Sequence, residues 1–506
     1  MFEMSLLPAL SLQFLSMVIY QACILLEIFL WCYYGNEVIL KSTNLTTSAY
    51  MCGWVEFSKD FKTDLLFFMT RSQFPLKLYA GGYFTLSLET LMVILKSSWS
   101  YFAMLNTGTC RGLVSFGAVV PGPSQKVRLL AFHIPGKSDW LSQKTINALI
   151  RLNAIVPYEE QVINVVLKLK VLANMIDSFG DIERMTDASF LFLTNMVQCL
   201  KLYCFIHNAS RIWKLVYSMN TEVFRPRNQA QYEILRKEIK MSKIILSLYL
   251  LACTLTCISW GVSPLLDRTS DDGIRLPLSG WYPFSTDTSP GFEFVYFYQI
   301  LSTWINGLGD ISMDTCISGT IMFISAQLSV LKDAVETMKP TSSSDHPTIK
   351  EALVRNVTHF KTIVQFAEEA TFLFTASITG QFVVGVVIVC MSMFQMSLVS
   401  VSSFQFFGMF IYQSCVLLEI YLWCFYGNEV IMKSDQLTQS AYMCEWTDAS
   451  KEFKQNLIIF MTRTQFPLKL YASGYFTLSL ETFKAVAKSS WSYFAVLNQV
   501  HEDKVA

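Results

Sequence analysis

Thirteen cysteines and five histidines are the residues of this 506-residue chain best equipped to hold a metal or attack a substrate, and their spacing gives them neither task. The cysteines are scattered, most of them inside apolar runs (Cys23, Cys32, Cys253, Cys257, Cys390, Cys415 and Cys424), and no C-x-x-C pair occurs. His133, His207, His346, His359 and His501 never stand at metal-ligand spacing. Buried thiols are the simpler reading, since free cysteine is among the most buried residue types. Phosphate-loop, nucleophile-elbow, zinc-protease and dinucleotide motifs are absent, and Gly307 and Gly309 follow no strand. No enzyme, metal or cofactor is implied.

What stands out instead is charge and hydroxyl in apolar surroundings. Glu419 and Glu27 sit inside long apolar runs, so each needs a partner or a proton, with a structural contact favoured over gating. Asp310 and Asp314 interrupt another run, and Lys201 a third. One face of the last apolar stretch, in alternating three- and four-residue steps, is Thr482, Ala485, Ser489, Ser492, Val496 and Gln499. A small, weakly polar stripe ending at an apolar ring position suits a pore wall with a hydrophobic gate. It suits tight helix–helix packing equally well, and both readings stay open.

The elements that carry these residues follow from composition. The chain is 52% hydrophobic and only 15% charged, with mean hydropathy +0.38. Soluble domains carry about 25% charged residues, so these charges are too few to cover a water-facing surface. The fold class is an all-α polytopic membrane protein in contact with lipid. A formal net charge of zero gives no reason to expect a nucleic-acid partner. The first residues lack a basic region, and the run Leu6–Tyr34 exceeds the ~7–15 residues of a signal core, so it reads as a retained span. Stretches of about 20 apolar residues give eight spans, near Leu12–Tyr34, Tyr83–Leu105, Phe190–Ile206, Ile244–Val262, Phe294–Leu328, Thr371–Phe394, Phe404–Tyr426 and Phe476–Leu497. Val162–Ile176 is a further apolar stretch, interrupted by Lys168 and Lys170.

The chain also repeats itself. Gln21–Asn106 aligns without a gap to Gln413–Asn498, as in QACILLEIFLWCYYGNEVI against QSCVLLEIYLWCFYGNEVI, and nothing between Thr107 and Ser403 has a partner. A solenoid would repeat throughout, and an inverted-repeat transporter would divide into two weakly similar halves. A tandem duplication of one end explains the pattern. Basic Ser210–Lys243 is assigned to the cytoplasm and acidic Ser263–Glu293 to the outside. Alternation then places Lys332–Ala370 and Lys433–Lys469 inside.

Against this background the string FPLKLYA (Phe466–Ala472), followed by YFTLSLETF (Tyr475–Phe483) and KSSWSYF (Lys488–Phe494), resembles the C-terminal signature of the insect odorant receptors. Tyr426-Gly427-Asn428-Glu429-Val430 is similar to the end of that family's sixth helix, and Leu200–Tyr203 with Asn208 and Arg211 to the end of its second. The resemblance covers about Asp177–Gln499 and, separately, Gln21–Asn106. It implies a tuning subunit with a seven-helix bundle, its first helix reduced or missing. Such a subunit assembles with the odorant receptor co-receptor as a heterotetramer around a cation pore in the plasma membrane of olfactory neurons. Its seventh helix lines the pore, with the gate at Val496 and Val500 and Gln499 between them. Small volatile, mostly apolar ligands would enter a cavity for which Trp260, Tyr298, Phe404, Phe407 and Tyr412 are candidates. The expected organisation is an extra copy of helices six and seven over 1–106, a linker with a candidate remnant of helix one over 107–176, and receptor helices two to seven over 177–506. A gustatory receptor-like channel, a secondary transporter and a non-functional fusion product are the alternatives.

Overall fold

The computed structural model describes residues 12–81, 84–106, 182–266, 276, 289, 291–339 and 348–505. Val162–Ile176 and most of the loop 263–293 lie outside them. The described chain runs α1 (Leu12–Met51), α2 (Lys59–Ser72), β1 (Tyr79–Ala80), β2 (Phe84–Thr85) and α3 (Leu88–Asn106). It continues with α4 (Ile182–His207), α5 (Ala209–Ser218), α6 (Gln229–Leu266), α7 (Gly291–Glu336), α8 (Ile349–Leu398) and α9 (Phe404–Met443). α10 (Lys451–Thr464), β3 (Tyr471–Ala472), β4 (Phe476–Thr477) and α11 (Leu480–Val505) complete it. Each of the eight apolar stretches overlaps a different helix, and among the described residues five helices (α1, α6, α7, α8 and α9) are long and apolar enough to cross a membrane. The chain is a multi-pass, all-α membrane protein.

The segments expected as inner loops are largely helix. α7, α8 and α9 have 46, 50 and 40 residues, which at 1.5 Å per residue is about 60–75 Å, twice the thickness of a bilayer core. Their ends outside the apolar stretches pack on one another around buried Leu353, Val357, Phe360 and Ile363. Polar contacts there are specific: His359 with Gln327 (3.0 Å), Arg227 donating to Asn356 (3.0 Å), and Lys433 with Glu238 (3.3 Å). Hydropathy misses such helices because their apolar face is only a stripe. A reciprocal cap between Thr348 and Glu351 starts α8, and Ser403 and Ser450 cap α9 and α10.

The described residues fall into two compact units; α1, β1, β2 and α3 lie in the first, α4 onward in the second, and α2 spans the division. The duplicated sequence builds the same local structure twice. Both copies carry a two-residue hairpin, Tyr79 pairing with Thr85 and Tyr471 with Thr477, immediately before the final helix. In the first, Ser42 accepts from the backbone of Leu76; in the second, Ser434 accepts from Leu468. The second and the last of the apolar stretches therefore enter their helices from a hairpin: Phe84–Thr85 and Phe476–Thr477 precede the helical part. Ser473 turns the second hairpin at φ 51°, a left-handed conformation held by hydrogen bonds from its backbone to Thr375 (2.5 Å) and its hydroxyl to Thr379 (2.8 Å) on α8.

Candidate functional site

Tyr412, two turns into α9, gathers an aromatic site. Its ring lies 5.5 Å from Trp260 on α6 and 5.8 Å from Phe190 on α4, and its hydroxyl shares a hydrogen bond of 2.5 Å with Thr194. Gly408, one turn earlier, lets α9 approach α6 closely: a Cβ there would stand 2.9 Å from Trp260 Cδ1. Beneath this group Gln198 donates to the carbonyl of Asn306 at 2.7 Å. Trp260 and Tyr412 thus come together among the sequence candidates. Tyr298 is half-buried on α7. Phe404 and Phe407 are partly exposed, and no ring contact between either of them and Tyr412 or Trp260 is seen among the described residues. At 3.6 residues per turn they stand about 80° and 140° round the helix from Tyr412.

Seven residues further along α9, Glu419 meets a buried ammonium. Lys201 Nζ on α4 lies 2.6 Å from Glu419, 2.8 Å from Asp314 and 3.2 Å from Asp310, and Lys201, Asp314 and Glu419 are all at most 3% exposed. Asp310 and Asp314 are one turn apart on α7 and so face the same ammonium. Gln381 on α8 donates to the second Glu419 oxygen at 3.0 Å, and the Tyr249 hydroxyl on α6 stands 3.5 Å from Asp314. The ammonium also sits 5.6 Å over the Trp423 ring. Five helices thereby meet at one charge cluster. Beside it, a narrow cleft is lined by Tyr249, Thr315 and Ser318. The sequence signals were present, each ionisable residue interrupting an apolar run; spacing alone did not show that they converge.

The small-residue stripe of α11 faces away from its own bundle. Ala485, Ser492, Val496 and Gln499 are exposed, Thr482 and Ser489 are half-buried, and the side chain of Val500 lies outside the description. The packed face is a different one, with Val486 and Ser490 buried and Phe483 against Tyr421 of α9. Thr482 also ties the helix start to the hairpin, donating to the Thr477 carbonyl at 2.6 Å. Packing within this chain therefore does not account for the outer four residues of the stripe.

A family model described as 7tm Odorant receptor matches residues 1–99 and 181–491. The chain belongs to the 7tm odorant receptor family. It is similar to odorant receptor 46a, isoform A, of Drosophila melanogaster, at 24% identity over 67% of this chain and 87% of that protein. Odorant receptor Or1 of Anopheles gambiae is 23% identical over 64% of this chain and 83% of its own length. Among solved structures, insect olfactory receptor OR5 from Machilis hrabei in complex with eugenol superposes with a TM-score of 0.59 at 20% identity, covering 73% of this chain and 93% of that one. That likeness supports an odorant receptor fold. Most of each copy of the repeat falls within the stretches that the family model matches, which end at residues 99 and 491.

For an odorant receptor, residues that the sequence reading missed are informative. Phe190, Thr194 and Gln198 stand four residues apart on one face of α4, with Lys201 three further on. A helical-wheel search of that short stretch, rather than its hydropathy, would have shown them.

Proposed function

We propose that this chain is a tuning subunit of an odorant-gated cation channel. It takes small volatile, mostly apolar ligands and works in the plasma membrane of olfactory neurons with the odorant receptor co-receptor in a heterotetramer. The family match over both stretches carries this reading. The aromatic group around Tyr412 supports it, since ring faces with a few convergent polar atoms suit such ligands. So does the outward stripe of α11, which gives a pore wall that only neighbouring subunits complete. Residues 177–506 form the receptor body, with Thr482, Ala485, Ser489 and Ser492 lining the pore and Val496, Gln499 and Val500 at its gate; residues 1–106 are an added copy of helices six and seven. The test is co-expression with the co-receptor in cells that lack both, recording current while a panel of volatiles, eugenol included, is applied. Odorant-evoked cation current that needs both chains is expected. Surface-expressed chain with no evoked current across the panel sinks the reading and favours a non-functional fusion.

A further inference from the structure

We propose, on the receptor reading above, that Lys201 is a positioning residue. Its ion pairs fix α9 between the ligand site and the pore helix and so set how strongly ligand binding moves the gate. The geometry along α9 carries this. Tyr412 and Glu419 are seven residues apart, about 10 Å, and Glu419 and Gly427 eight, about 12 Å. At the Tyr412 end, α9 touches α4 and α6 through Thr194, Phe190 and Trp260. At the Gly427 end it closes on the turn leading into α11, where Gly427 leaves no room for a Cβ beside Leu478. Tyr421 packs on Phe483 of α11 between those points, at 5.4 Å. The Lys201 cluster thus stands midway along a helix that touches both ends.

The cluster is also built to be a fulcrum rather than a passive contact. One ammonium holds three carboxylates from two helices, so α9 can tilt only by exchanging Glu419 for the competing Asp310 and Asp314. Asp310 is the most exposed of the three at 25%, which gives that exchange an accessible partner. A ligand that displaces Tyr412 from Thr194 alters the lean of α9, and the division of Lys201 among its carboxylates shifts with it.

The test compares Lys201→Arg, Glu419→Gln and Lys201→Met with the parental chain, each co-expressed with the co-receptor. Surface level, half-maximal odorant concentration and maximal current are read separately. Glu419→Gln loses the charge while its amide oxygen still accepts from Lys201, and Gln381 must turn its own amide to accept from the new NH2. This variant should reach the surface and shift the half-maximal concentration by about 5- to 150-fold, the range of coupling between linked sites. Lys201→Arg should restore most of the response that Lys201→Met loses. Current that falls only in proportion to surface protein, with the half-maximal concentration unmoved in Glu419→Gln and Lys201→Arg, assigns the cluster to folding alone and overturns the proposal. A parental chain that is present at the surface and silent fails the receptor reading first, before any variant is compared, and this inference with it.

Discussion

Alanine at Gly427 should disconnect α9 from α11, and the duplicated sequence supplies its own control. A Cβ at Gly427 would lie 2.5 Å from Leu478 Cβ and 2.9 Å from the Leu478 carbonyl carbon. Ordinary contact begins near 3.4 Å, so the turn must retreat by about 0.9 Å, and it is backbone that has to move. That turn is held by Leu478 N–H donating to Leu470 and by the hairpin, so the retreat strains the start of α11. Overpacking costs about 1–3 kcal/mol, while alanine in place of helical glycine recovers about 0.5–1 kcal/mol. The mid-range net is about 1.2 kcal/mol, or roughly eightfold in an equilibrium. Gly35 faces Leu86 in the same way, at 2.6 Å from its Cβ. Gly35→Ala should therefore strain the first copy equally while leaving odorant-evoked current untouched. Surface biotinylation with concentration–response recordings of both variants is the assay. Equal responses from Gly427→Ala and the parental chain would refute the claim that this contact transmits the signal. Equal losses from both variants would show that the first copy shares the work.

Other expectations follow from the same geometry. Trp260→Ala should change the odorant response without removing the chain from the surface, whereas Phe407→Ala, at a partly exposed position, should not; identical response curves for Trp260→Ala and the parental chain would take the indole out of the ligand site. Val496→Ala, exposed on the α11 stripe, should weaken closure and raise current without odorant, while Met104→Ala in the first copy leaves currents intact; sensitivity at Met104 alone would reverse the assignment of the conducting helix. Asn356 belongs to an Asn-Val-Thr sequon but is 1% exposed, donating to the Ala334 carbonyl and accepting from Arg227. It should carry no glycan, and a glycosidase-sensitive mass shift mapped to it would overturn both the burial and the membrane orientation.

Helical class and membrane character were legible because length and apolarity decide them, although among the described residues five helices, not eight, are long and apolar enough to cross a membrane. Helix ends were not legible. Leu353, Val357 and Phe360 are apolar on one face only, so a window average dilutes them with Lys350, Arg355 and Lys361. Burial of Glu419 beside a partner was foreseeable from the cost of a lone charge in lipid, but the partner's identity was not. Lys201 is 218 residues away on another helix, and only the packing of α4 against α8 and α9 brings it near. The α11 stripe could be drawn from its steps alone. Which way it faces depended on Val486 and Ser490 winning the contact with the bundle.

The two copies of the duplicated end separate what local sequence decides from what partners decide. Hairpin register, the serine that accepts from the turn, and the glycine against the following leucine are the same in both, because each is set within about fifty residues. Burial differs sharply. Trp423 is 0% exposed and Trp31 58%; Glu419 is buried against Lys201 and Glu27 is exposed. A near-identical helix buries its tryptophan and its carboxylate only where α4, α6, α7 and α8 surround it. The charge cluster and the aromatic group around Tyr412 are properties of that surrounding set, not of the helix. On the proposed receptor reading, the later copy is therefore the one that would couple a ligand to a pore, because the helices that bury its tryptophan and carboxylate surround it.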